Sequence, residues 1–396
     1  MRIILKLVFI VFGLGLIAFM LFLDEQTEEY LIEEMPEEMP TVGDDTPSYI
    51  EEDAPEEEVP ENNSEAVEEE EELHEEDAEE EQIESEEVTA DPHGEPDEEQ
   101  SRNGETPGEP FYDLIGENTD VLVNQYGEPD RTEPSQYGYN WYVWNESDRY
   151  VQAGVEEGRI VTIYTNVPND QTAPFNLGDS YDRLEEEWTF EREAAVSGDF
   201  QFTLSPREIQ SHPLVEIDGV WVQLYFDTFE EELSSIRFIE AETLVKQQPY
   251  SLTYRGSLPE KPALSEEEWE KVEEGMARQI FDLTNNFREK HSLPPLDWDE
   301  DTSLVAYGHS KDMRDNGYFS HQSPTRGDLG ERLTNGGVQY QRAAENIAAR
   351  YVDAASAMEG WLNSEGHRVN LMNEDLSHLG VGVHRDFYTQ NFMTPW

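Results

Sequence analysis

The chain contains no cysteine. That excludes disulfides, thiolate metal ligands, a thiol nucleophile and an acylated cysteine anchor. Positive charge is scarce as well: 25 Lys and Arg stand against 91 Asp and Glu, a formal net charge of −66. The deficit reaches the C-terminal region, where residues 264–396 hold 23 acids and 12 bases. No basic stripe exists, so nucleic acid is excluded as a partner, and so is charge-driven binding to anionic headgroups. No glycine-rich nucleotide loop is present, which argues against ATP-driven or redox chemistry. Nor does a GxSxG elbow surround Ser320, Ser323 or Ser364, so a serine nucleophile has no motif behind it.

Long apolar runs are confined to one place. Arg2 and Lys6 lead into seventeen apolar residues, Leu7 to Leu23, just enough to cross a hydrocarbon core of ~30 Å. The bases precede the run and acids follow it, so the positive-inside rule predicts a single-pass anchor in the cell membrane, with the bulk of the chain extracytoplasmic. A cleaved signal peptide is the alternative, disfavoured because bulky Phe22 and Leu23 replace a small-residue cleavage site. Residues 24–110 then carry 39 acids against one base, Arg102. Such a tract cannot bury enough apolar surface to fold, and is expected to be a disordered, self-repelling acidic linker.

Residues 111–245 read as a strand-rich α+β middle domain with an internal duplication. Gly116, Asp120 and Tyr126 recur 62 positions later as Gly178, Asp182 and Trp188. Each copy opens on a short helix and continues into strands. The runs 149–155 and 159–165, joined by Glu156-Glu157-Gly158, predict a hairpin, and Val220, Val222, Leu224 and Phe226 alternate as a half-buried strand does. Tyr137, Tyr139 and Trp141 are expected to be core, with a binding face as the alternative. A linker is predicted over 246–263. Ser265 and Glu268 form a capping box for a helix whose apolar face is Trp269, Val272, Met276, Ile280, Leu283 and Phe287. Further helices are predicted at 302–316 and 354–363, and final strands at 380–384 and 387–393.

Six motifs run through the C-terminal region: NxxR (Asn285 to Arg288), LPPLDWD (Leu293 to Asp299), YFSH (Tyr318 to His321), AENIA (Ala344 to Ala348), WLNSEGHRVNLM (Trp361 to Met372) and YTQNF (Tyr388 to Phe392). In this order they resemble the CAP superfamily: cysteine-rich secretory proteins, antigen 5 and pathogenesis-related protein 1. The resemblance implies an α-β-α sandwich over 264–396. YGEPDR (Tyr126 to Arg131) resembles the CAP-associated domain that precedes this fold in bacterial proteins. Lack of cysteine sets the chain apart from eukaryotic members and fits the bacterial type.

In the resemblance, His321 and Glu345 match the first histidine and first glutamate of the family's His/Glu tetrad. The other glutamate position is Ser364, with Glu365 beside it, and the other histidine position is Phe387. His367 stands as the replacement imidazole. His321, Glu345 and His367 are therefore the candidate ligand- or metal-binding residues, with Ser364, Glu365, Tyr388 and Gln390 bordering the cleft. His309 is expected to pack in a helix interface, and Arg368 and Asn370 to fasten a loop.

Two imidazoles and a carboxylate suit an open zinc site, which can activate water. Without metal they suit an acid–base pair or a structural network holding loops. Two functions follow. One is a binding module for a cell-wall component, peptide or lipid; the other is a metal-assisted hydrolase of envelope peptide or glycan. No cofactor is required by the sequence, and a divalent metal such as zinc stays an open alternative.

Overall fold

The computed structural model describes residues 48–51, 108–146 and 148–396. The predicted anchor at Leu7 to Leu23 lies outside the described residues, and among those described no helix is long and apolar enough to cross a membrane. Most of the expected acidic linker also lies outside them. One piece departs from expectation: Ser48–Glu51 is a strand, β1, paired with the C-terminal region. Tyr49 and Ile50 are strand formers, and the sheet edge they meet offers a row of backbone partners.

Helices α1 (Phe111–Leu114) and α2 (Asp120–Tyr126) open the middle domain. Strands β2 (Arg131–Pro134), β3 (Asn140–Glu146), β4 (Arg149–Glu156) and β5 (Arg159–Thr165) follow as a meander. Then come α3 (Tyr181–Trp188), β6 (Glu193–Ser197), β7 (Phe200–Thr203), α4 (Pro206–Ser211), β8 (Leu214–Ile217), β9 (Val220–Asp227), β10 (Glu232–Ile239), α5 (Ala241–Gln247) and β11 (Ser251–Tyr254). The large sheet has the order β2-β3-β4-β5-β10-β9-β8, with β11-β7-β6 as a small second sheet. β11 falls inside the expected 246–263 linker and corrects it: the chain stays paired with β7 to Tyr254.

The duplication is visible in hydrogen bonds. Gly116 N donates to Ile160 O and Ile160 N to Glu117 O, while Gly178 N donates to Leu233 O and Leu233 N to Asp179 O. Each copy thus ties the loop ahead of its helix to a hairpin turn. Gly116 and Gly178 both adopt positive φ, at 92° and 90°, where a Cβ would be strained.

The C-terminal region begins with α6 (Glu266–Lys290), started by the Ser265/Glu268 capping box. There follow β12 (Asp297–Trp298), α7 (Glu300–Asn316), α8 (Leu329–Asn335), β13 (Arg342–Ala349), α9 (Ala354–Leu362), α10 (Glu365–Met372), β14 (His378–His384) and β15 (Phe387–Thr394). The sheet order is β1-β13-β15-β14-β12. α7 and α8 cover one face and α6, α9 and α10 the other, a three-layer sandwich.

Two glycines set how closely α7 lies on its sheet. A Cβ on Gly380 would sit 2.3 Å from Ser303 N, and one on Gly382 only 1.8 Å from Tyr307 N. Backbone rests on backbone there. NxxR also has a structural role. Asn285 exchanges hydrogen bonds with both backbone groups of Leu296, and buried Arg288 donates to the carbonyls of Pro294, Leu371 and Asn373.

The two regions share one core. The large sheet of the middle domain is buried on both faces. Phe111, Leu122, Leu184 and Phe238 pack on one side. On the other, Tyr139, Trp141, Tyr164 and Tyr225 join Val272, Met276, Ile280 and Leu283 of α6 with Ala355, Met358 and Trp361 of α9. The alternation seen at Val220 to Phe226 marks only the domain's own core; the other face is hidden by the helices.

Polar groups within this contact are paired. Arg237, fully buried, meets Asp353 at 2.8 Å. Burial opposes its charge, but the Asp353 carboxylate outweighs that and raises its pKa. Asp353 also caps α9 by accepting from Ser356 N. Glu359 accepts from Tyr164, Ser234 and Ser235 at 3.0, 3.2 and 2.5 Å.

Asp353→Ala strands a buried guanidinium and uncaps α9, so it should cost about 3–5 kcal/mol, as breaking one partner of a buried pair does. Gly382→Ala forces α7 off the sheet and should cost about 1–3 kcal/mol. Urea unfolding measures both, and midpoints equal to the parent's contradict the packing described.

Candidate functional site

Glu345 lies on β13, where side chains alternate between faces. Asn346 points toward α6 and α10: it donates to His367 O at 3.2 Å and to Gln390 Oε1 at 3.0 Å, and Gln390 donates to Thr284. Glu345 points the other way, toward α7 and α8.

Three elements deliver cationic or imidazole groups to its carboxylate. His309 comes from α7, held close by the glycine floor of β14. Gly317, at φ 65°, ends α7 in a left-handed cap, and the chain turns into the loop bearing His321. Asp312 fastens that loop, accepting from Ser323 at 2.7 Å, from Thr325 at 3.3 Å and from the Tyr318 hydroxyl. α8, capped reciprocally by Asp328 and Glu331, brings in Arg332.

The result is a clamp on a fully buried carboxylate. His321 Nδ1 lies 2.8 Å from Glu345 Oε1, and Arg332 donates to Oε2 at 2.5 Å. Arg332 also donates to the carbonyls of His321 and Gly327 at 2.7 and 3.0 Å. His309 Nε2 donates to Ser320 O at 3.1 Å and stands 3.9 Å from Glu345 Oε1. Burial pushes the Glu345 carboxyl upward, but the His321 hydrogen bond and the charges of Arg332 and His309 outweigh it, holding the pKa at about 2. Burial pushes His309 down, against the pull of Glu345, to about 4. His309 is therefore neutral at pH 7.

An ionised Glu345 accepts the His321 Nδ1 proton, so this bond orients the imidazole and leaves Nε2 on its other edge. The His321 side chain keeps 20% of its surface exposed, against none for Glu345 and His309. Among the described residues Nε2 has no hydrogen-bond partner.

Two of the three sequence-predicted residues thus meet, and the third reaches β13 differently. His367 lies on α10, a helix where a loop was expected, its Nδ1 2.7 Å from Ser364 Oγ. Its backbone, through Asn346, touches the far face of the sheet. Among the described residues, three potential ligand atoms within 4.8 Å of one another occur at Asp227, Glu230 and His291, and not at His321, Glu345 and His367. The donor chemistry points the same way, since a guanidinium already occupies Glu345 Oε2. These residues do not fit a zinc ion. The Asp227 group fits no better, because Arg368 sits on Asp227 at 2.7 Å and Lys290 on Glu230 at 3.2 Å.

Tyr388 and Gln390 are corrections. Both are fully buried, Tyr388 donating to Tyr351 O and Gln390 to Thr284, because strand alternation turns them to the α6 face. Ser364 is buried beside His367, and Glu365 is exposed at the start of α10. Asn370 does fasten structure, donating to Glu345 O and Asn346 Oδ1, and Arg368 both donates to Leu362 O at the end of α9 and reaches across to Asp227 of the middle domain. Ser323 is spent on Asp312, and Ser320 Oγ accepts from Gln322 N.

Sequence reasoning missed Arg332 and gave His309 only a packing role. It also passed over Asn391, opposite Glu345 on β15, whose buried amide has no partner among the described residues. The Asp-x-x-Glu capping box four residues ahead of Arg332 was a signal for α8. Nothing in the spacing showed that its arginine would turn inward. A groove of about 380 Å³ beside α7 and α8 is lined by Leu304, Val305, Arg326 and the same Arg332.

Comparison with known proteins agrees with this architecture. Residues 281–394 match the profile of the cysteine-rich secretory protein family, and residues 115–250 that of the CAP-associated N-terminal domain. The uncharacterized membrane protein YlbC of Bacillus subtilis is 44% identical over 294 residues, covering 73% of this chain and 85% of that protein. The uncharacterized protein YkwD of the same organism is 40% identical over 118 residues, covering 29% and 46%. Among solved structures, an extracellular protein containing an SCP domain from Bacillus anthracis superposes with a TM-score of 0.70 at 44% identity, covering 75% of this chain and 99% of that one. A cysteine-rich secretory protein from Staphylococcus aureus shares the fold at 23% identity with a TM-score of 0.64, covering 72% and 93%.

The clamp sets a pH dependence. Glu345 has a folded pKa of about 2 against an ordinary 4.5, so its stabilisation is complete above pH 4.5 and is lost as pH falls toward 2. His309, at about 4 against 6.5, stabilises above pH 6.5 and loses that contribution as pH falls toward 4. Both act in one direction: the site weakens on acidification. Glu345→Gln leaves the buried Arg332 guanidinium without its counter-ion, and should cost about 3–5 kcal/mol at pH 7. It should also flatten the fall in stability between pH 4.5 and 2. Urea midpoints for parent and variant at pH 7, 5 and 3 measure this, and parallel curves count against the clamp.

Proposed function

This chain belongs to the cysteine-rich secretory protein family, with a CAP-associated domain ahead of its CAP domain, and from that premise we propose a membrane-anchored, extracytoplasmic binding module. The anchor is the Leu7 to Leu23 run. A relative described as a membrane protein and another described as extracellular support the outward placement. The ligand is a component of the cell envelope, taken up where His321 borders β13.

One observation carries the choice of binding over turnover: the carboxylate is already engaged at both oxygens. A group held at a pKa of about 2, with His321 on one oxygen and Arg332 on the other, is far too weak a base for proton abstraction at neutral pH. The same engagement disfavours it as a ligand for a catalytic metal. What it does well is orient an imidazole. His321 is held through Nδ1, which leaves its Nε2 edge to meet a ligand. A second reading, hydrolysis, is favoured by the contact of Ser364 Oγ with His367 Nδ1 at 2.7 Å, which matches half of a serine–histidine arrangement.

Muropeptides from purified envelope, incubated with the full chain, test the proposal by calorimetry for binding and chromatography for products. Binding without product, weakened about tenfold by His321→Ala as befits loss of a hydrogen bond to a buried partner, is the expected outcome. Product release abolished by Ser364→Ala or His321→Ala overturns it in favour of the hydrolase.

A further inference from the structure

The strand that carries Glu345 pairs on one side with β15 over its whole length, Arg342 to Ala349. Its other side faces β1. There Ser48 lies opposite Glu345, Tyr49 opposite Ala344, Ile50 opposite Ala343 and Glu51 opposite Arg342, antiparallel and without a bulge. Only these four residues cover that edge among the described residues. They come from a tract rich in acids, far back in sequence from the domain they join, with Pro47 before them and Pro55 after. Prolines cannot extend a ladder, so the pairing segment is short by construction.

A strand edge beside a polar cluster is a known kind of recognition surface: backbone hydrogen bonds supply affinity and nearby side chains supply selection. Here the edge runs directly past the clamp. Any strand in the β1 register passes its backbone alongside Glu345, within the neighbourhood of the outward-facing His321. It also meets the acidic domain at an arginine, Arg342, opposite which the resident strand places Glu51.

We infer that the outer edge of β13 is an acceptor site for an extended peptide, and that residues 48–51 are its tethered occupant, displaced when a competing strand arrives. The inference rests on the reading of this cleft as a binding site and names the ligand class: a polypeptide segment in extended conformation, bound antiparallel to residues 342–345. Tethering matters to its strength. A segment on the same chain competes at an effective concentration of about millimolar, so a free peptide must bind tightly or arrive in multivalent form.

The test compares the full chain with the double variant Tyr49→Pro, Ile50→Pro, which removes two backbone donors from β1. Hydrogen exchange at those amides of residues 342–345 that face β1, alternate positions along the strand, should quicken about tenfold or more in the variant. A fluorescent peptide spanning residues 44–55 should bind the variant at least about tenfold more tightly than it binds the parent, because the tethered rival is gone. Unchanged exchange overturns the inference, as does equal affinity for both proteins or equal binding of a scrambled peptide. If muropeptides still bind while these results fail, the strand-acceptor site alone falls. If the peptide competes as expected but muropeptides bind neither protein, the envelope-ligand reading falls and the acceptor site stands.

Discussion

A fully buried, ionised carboxylate dictates the arrangement around β13. In the absence of bulk water, Glu345 needs compensation at both oxygens, and charge of that kind is expensive to bury alone. The compensation arrives from three separate stretches of chain: α7 with His309, the following loop with His321, and α8 with Arg332. Each stretch is in turn constrained by a local device. Glycines at 380 and 382 let α7 touch the sheet, Asp312 gathers the hydroxyls of the loop, and the Asp328/Glu331 box starts α8 where its arginine can turn inward. The clamp is thus the point on which the α7 side of the sandwich converges.

The middle domain lies on the opposite side, against α6 and α9. That placement has a functional meaning. It hides the aromatics of the large sheet, which otherwise offer a plausible binding face, and it leaves the β13 edge and the His321 loop uncovered by that domain. Arg237, Asp353 and Glu359 belong to this contact. Burial raises the Glu359 carboxyl, against the hydrogen bonds from Ser235, Tyr164 and Ser234, so its ionisation opposes the contact as pH rises, whereas Glu345 loses its contribution as pH falls.

Much of the fold was legible because it rests on local signals. The Ser265/Glu268 box, the 3-and-4 spacing from Val272 to Phe287, and the 62-residue recurrence all reappear in the structure as a helix start, a buried face and matching hydrogen bonds. His321 and Glu345 were legible through family motifs alone, since a separation of twenty-four positions carries no distance information. What escaped was set by tertiary context. Arg332 reads as a surface residue on a short amphipathic helix until α8 is docked. Tyr388 and Gln390 belong to a motif that follows the family's other histidine position, Phe387, but strand alternation sends them to the other layer. His367 sits on a helix that starts without a side-chain cap, since the Ser364 hydroxyl is engaged by His367 itself. β1 was invisible for a different reason: its four residues have no fold of their own and gain one only from the edge they meet.

Asp353 serves two masters, as counter-ion to Arg237 across the domains and as cap of α9. That helix also carries Trp361, whose indole nitrogen donates to Ile347 O on β13. A continuous mechanical linkage therefore runs from the interior of the CAP-associated sheet, through one carboxylate and one indole, to the backbone that bears Glu345. Prising the two halves apart would release the helix end and slacken the cleft strand together, so they should behave in unfolding as one cooperative body rather than as beads on a string.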